Sequence, residues 1–233
     1  MKFVVEVIAF WILPLALLVE YQYWQSIAWA TPEFIFYIIA VPTIAAYMIV
    51  ATGAGWLKLW GFNLKYTLWK VPIQIGLVYG SVINGLFLIF VNLVSPPSSI
   101  SSTIAIAILV AISGALLGCL YDISIVHYGI LDVYIRPFYK RDNTIKIVTA
   151  YGPRFFGLMG FVMGLSVKLG VYLLIETDRT ISLSVAAPLG ILIVYTPFLL
   201  YLLVIIEQKR HKAERRWIIW IFHYFGPIEL IIA

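Results

Sequence analysis

Six apolar runs, each close to the length that crosses a bilayer, dominate this chain and constrain its fold more than any other feature. They lie at about Phe3–Val19, Phe34–Gly53, Val71–Val94, Thr103–Tyr121, Phe155–Ile175 and Ile181–Ile206. A helix rises about 1.5 Å per residue, so about 20 residues cover the ~30 Å hydrocarbon core. Of the whole chain, 63% is hydrophobic and only 12% charged, where a soluble domain is nearer half and a quarter. The sequence predicts an all-α polytopic transmembrane bundle, residues 1–233 forming a single integral membrane domain. The first run reads as a retained span, because Lys2 alone precedes it and Glu6 interrupts it.

The basic residues predict an orientation. All of the 16 Lys and Arg except Lys168 and Arg179 fall before the first run, after the last, or in the second and fourth connections. The intervening connections carry Glu20, Glu33, Glu176 and Asp178, or no charge at all across 95–102. Positive residues stay inside, so the N-terminus is expected in the cytoplasm of a plasma-membrane protein. The net charge of +5 is then largely an orientation signal, and no basic surface for nucleic acid is expected.

Two segments are harder to read. Residues 217–233 are short for a span and broken by Gly226-Pro227, which suggests an interfacial or re-entrant helix, or else a seventh span. Residues 207–216 read as a basic cytoplasmic extension of the sixth helix, and residues 136–154 as a cytoplasmic loop. Anionic lipid headgroups are the expected partners of these basic stretches. The run Thr103–Ile135 is too long for one upright helix, so 123–135 is expected to bend along the inner surface as a second helix, with an Asp132–Arg136 pair.

Small residues recur at helical spacing. Gly76, Gly80 and Asn84 mark the third run, Ala107, Ala111, Ala115 and Gly118 the fourth, and Gly157, Gly160 and Gly164 the fifth. Such stripes permit close helix contact, within the chain or in a homo-oligomer or larger membrane complex. Lys168 continues the last stripe, and Asn84 and Asn92 share a face at comparable depth. These three are the candidate binding residues of a polar cavity in the outer half, because charge inside a membrane usually marks a path for ions or substrate. Snorkelling of Lys168 towards Glu176 or headgroups is the alternative.

At the inner end, Asp122, Arg154, Gln74 and Glu6 fall at similar depth, and an Asp122–Arg154 pair is expected there. Asp122, His127 and Arg154 are also the weak catalytic candidates, but Asp122 and His127 are five residues apart and would not share a helix face. Tyr121-Asp122 and Gly129-Ile130-Leu131-Asp132 resemble the YD and GxGD motifs of intramembrane aspartyl proteases. Leu131 replaces the motif's second glycine, and the carboxylates lie on one run instead of two spans, so that activity is not carried over. One cysteine, Cys119, and three histidines offer no metal or haem ligand set, and no cofactor is expected. Three functions stay open: a small-molecule or ion transporter, a lipid or isoprenoid enzyme at the inner leaflet, and an accessory subunit of a membrane complex.

Overall fold

The computed structural model describes residues 2–68, 71–94, 99–134, 143–177 and 183–210, with side chains described to residue 200 in the last helix. The described chain is mostly helical. Helix α1 spans Lys2–Gln25, with a π-helical turn at Ile8–Ile12. Helix α2 spans Pro32–Trp56 and ends in a π-helical turn from Ala51. Helix α3 (Ile75–Ile89) breaks at Phe90 and resumes as α4 (Val91–Val94). Helix α5 is Ile100–His127, and α6 is Thr144–Val171 followed by a π-helical turn, Tyr172–Glu176. Helix α7 is Leu183–Arg210. Five of these helices are long and apolar enough to cross a membrane, and Ile75–Ile89 is a shorter apolar helix.

Local chemistry sets the starts. Thr31 Oγ1 accepts from the Phe34 amide at 3.2 Å, ahead of Pro32 at the first helical position. Ser99 and Ser102 form a reciprocal capping box for α5. Asn143 Oδ1 accepts from the Ile145 amide at 2.9 Å and opens α6.

Two short antiparallel ribbons gather at one end of the bundle, here called the ribbon end. Strand β1 (Trp60–Phe62) pairs with β4 (Leu131–Val133), and β2 (Thr67–Leu68) with β3 (Val71–Pro72). This corrects the expected surface helix over 123–135. Helix α5 runs straight on to His127, and Gly129 turns the chain with φ +62, a conformation that suits glycine. The chain then pairs as a strand, and Asp132 accepts from Asn63 Nδ2 at 2.8 Å. Residue 136 lies outside the described residues, as do 211–233 and with them the predicted interfacial segment. Residues 144–154, read from sequence as part of a loop, belong to α6.

Helix α2 forms the spine. Tyr37 donates its hydroxyl proton to the Ser166 carbonyl at 2.8 Å, tying α2 to α6, and its ring lies over Gly170 and Gly190. Thr52 and Tyr195 hydroxyls meet at 2.8 Å between α2 and α7. The predicted stripes of the fourth and fifth runs face each other. A Cβ on Gly160 would sit 2.5 Å from the Val110 carbonyl oxygen, and one on Gly164 2.5 Å from Ala107 Cα. The α5 and α6 backbones are therefore in direct contact, which only small residues allow. At the end opposite the ribbons, Trp24, Trp29 and Phe34 stack edge-on or tilted, with centroids 5.5 to 6.1 Å apart.

Candidate functional site

Asp122 lies five residues before the end of α5, on the side turned into the bundle, and is 4% exposed. Tyr151, near the start of α6, donates to Asp122 Oδ2 at 2.6 Å. Asp122 Oδ1 is buried without a hydrogen-bond partner, and so is the hydroxyl of the adjacent Tyr121. Tyr79 of α3 meets the Tyr121 ring edge-on at 6.3 Å, and Phe10 lies tilted against Tyr121 at 6.4 Å. Phe10 belongs to the π-helical turn of α1, a distortion frequent beside functional sites. Tyr79, Cys119, Tyr121 and Tyr151 are the titratable groups that lie near Asp122. Helices α1, α3, α5 and α6 thus enclose one carboxyl group with aromatic hydroxyl groups around it.

The other polar residues of the ribbon end do not join this cluster. Arg154 and His127 are exposed, and the His127 ring stands edge-on to Tyr128 at 4.9 Å. The expected Asp122–Arg154 pair is replaced by Asp122–Tyr151, because α6 starts early enough to bring Tyr151, one helical turn before Arg154 on the chain, against α5. Glu6 and Gln74 share a small separate pocket with Phe10, Trp11, Leu64 and Tyr66. Asp132, the second carboxylate of the protease-like motif, lies exposed in the ribbon, apart from Asp122.

A second carboxyl group, on the half-buried Glu20 of α1, stands against α3. Glu20 Oε1 accepts from Ser81 at 3.4 Å, while Glu20 Oε2 is buried without a partner. Gly85 leaves room for it, since a Cβ there would lie 3.3 Å from Glu20 Oε1. Asn84, fully buried, donates to the Gly80 carbonyl of its own helix at 2.9 Å and leaves Oδ1 unpartnered.

The predicted outer level is divided by the structure. Lys168 is 3% exposed, and its ammonium donates to the Val94 carbonyl at 3.2 Å. The small-residue stripe thus carries Lys168 into the interior, where it seats the last residue of α4. Glu176 is close enough for its charge to act on this ammonium. Asn84 is buried and bonded within its own helix, whereas Asn92 is exposed, so the three share no common hydrogen-bonded site.

Asp122 was legible in the sequence, but Tyr79 and Tyr151 were not singled out. The available signal was a buried aspartate with tyrosines near the same end of two other runs. Among the described residues, no three His, Cys, Asp or Glu side chains group as metal ligands. No known protein family matches the chain, and no curated protein or solved structure is detectably similar to it.

Proposed function

We propose that this protein is a multi-pass transporter of the plasma membrane that couples solute movement to protons, with Asp122 as its principal carboxyl group and Glu20 as a second. In this reading α3 completes six spans, the N-terminus is cytoplasmic and the ribbon end faces the cytoplasm. The supporting pattern is the gathering of Lys and Arg in the connections of that side. Lys58 and Lys65 beside the ribbons then lie near anionic headgroups.

The observation that carries the proposal is the pairing of both carboxyl groups, among the described residues, with hydroxyls alone. A carboxylate buried in an apolar medium without a cation is costly. Such a site is completed by a proton or by a cationic solute, and exchange of one for the other is the elementary step of coupled transport. Asp122 is faced by Tyr79 from α3, Tyr151 from α6, and Cys119 and Tyr121 from its own helix, none of which is basic. The lipid-enzyme alternative needs Asp122, His127 and Arg154 together, and their separation gives it no support.

The test is proton movement in liposomes holding the purified full-length chain and an internal pH dye, driven by an outward gradient of n-butylammonium or, separately, of tetramethylammonium. Protein-dependent acidification is expected, strongly reduced by Asp122→Asn and less so by Glu20→Gln. Vesicles no more permeable than protein-free ones, or equal flux in Asp122→Asn, would refute the reading.

A further inference from the structure

The groups around Asp122 differ from those that would suit a bare metal ion. Hard cations such as calcium gather six or more oxygen ligands, several of them carboxylates, whereas here one carboxylate oxygen is free and the neighbours are phenols. Aromatic faces attract weakly hydrated organic cations instead. Tyr79, Tyr121 and Phe10 form a contiguous aromatic group next to Asp122 in which Tyr121 touches the other two rings, and Tyr151 donates to the other carboxylate oxygen. The three tyrosines are only partly buried, although Asp122 is enclosed.

The unsatisfied atoms narrow the class further. Asp122 Oδ1 needs a donor, and the adjacent Tyr121 oxygen has capacity to accept. A quaternary ammonium carries no N–H and would leave both unpaired, which is costly when buried. A protonated primary or secondary amine has two or three N–H groups to offer.

We propose that the Asp122–Tyr121–Tyr79 cluster is a binding site for a protonated primary or secondary amine. The ammonium N–H groups meet Asp122 Oδ1 and the Tyr121 oxygen, and the charge lies against the Tyr79 and Tyr121 rings. This deepens the transport reading by naming the solute class. Charge balance gives the coupling: when Asp122 is protonated, one ammonium enters as one proton leaves, and the site is net neutral either way.

The experiment is ligand-observed NMR of n-butylammonium with the full-length protein in nanodiscs, empty nanodiscs serving as background. Saturable binding is expected, weakened at least about tenfold by Asp122→Asn, which keeps an acceptor for Tyr151. Tyr121→Phe, which keeps the ring and removes the oxygen, is expected to weaken it several-fold, and tetramethylammonium to bind less tightly than n-butylammonium. Binding equal to background, unchanged affinity in Asp122→Asn, equal affinity for tetramethylammonium, or displacement by sodium at matching concentration would each overturn the proposal. If amine binding fails while proton flux still depends on Asp122, the solute class falls and the transport reading stands. If binding holds without flux, the reverse follows.

Discussion

Asp122 on α5 and Lys168 on α6 are both ionisable residues buried in the bundle, yet their surroundings differ in kind. Lys168 has a backbone carbonyl for its ammonium, at the point where α4 ends. Asp122 has a phenol on one oxygen and nothing on the other. The first group already holds a partner, whereas the second keeps a buried oxygen that has none. Buried charge alone therefore does not identify a site; the unspent hydrogen-bonding capacity around it does.

The largest expected effect falls on the scaffold common to both regions. Gly160→Val should destabilise the protein by about 3 kcal/mol, because its side chain enters the Val110 backbone. Gly157→Ala should change little, since a Cβ there has 3.7 Å to its nearest neighbour. Thermal unfolding in detergent reads both, and a tolerated Gly160→Val would show that the helix pair is not rigid enough to define either region.

Next comes Tyr151→Phe, which strips Asp122 of its hydrogen bond and should cost about 1–3 kcal/mol. Denaturant titration measures this, and no loss would mean that Asp122 does not need the phenol. Lys168→Met should cost about 1 kcal/mol, the lost donor being partly offset by relief from burying a charge. It should leave n-butylammonium binding at Asp122 intact. Lost amine binding in a folded Lys168→Met protein would break the contrast between the two regions.

The smallest effect is expected at the ribbon. Gly129→Ala forces a side chain into the left-handed region at φ +62 and should cost about 1 kcal/mol, with Gly129→Asn nearer neutral. Hydrogen exchange at the Asn63 amide, bonded to the Ile130 carbonyl at 2.8 Å, should accelerate in the alanine variant.

The helices were legible because an apolar run of twenty residues is a strong signal, and so were the facing stripes of Ala107–Gly118 and Gly157–Gly164. The ribbon was not. The pattern Leu131-Asp132-Val133 alternates over three residues only, and its partner, Trp60-Gly61-Phe62, lies on the far side of three intervening helices in sequence. The inward direction of Lys168 followed from its stripe, but its partner did not, since Val94 contributes only backbone. The choice of Tyr151 over Arg154 for Asp122 depended on where α6 begins. A loop boundary misread by ten residues was enough to assign the wrong partner.

The β1–β4 pairing also bears on how the chain is built. Trp60–Phe62 is synthesised well before Leu131–Val133, with α3, α4 and all of α5 between them. The first strand must therefore wait, edge unpaired, until the end of α5 has left the ribosome. The ribbon acts as a latch that closes only once the earlier helices are in place, so a ribosome-stalled chain ending before residue 131 should leave the edge of Trp60–Phe62 open to chaperones and proteases.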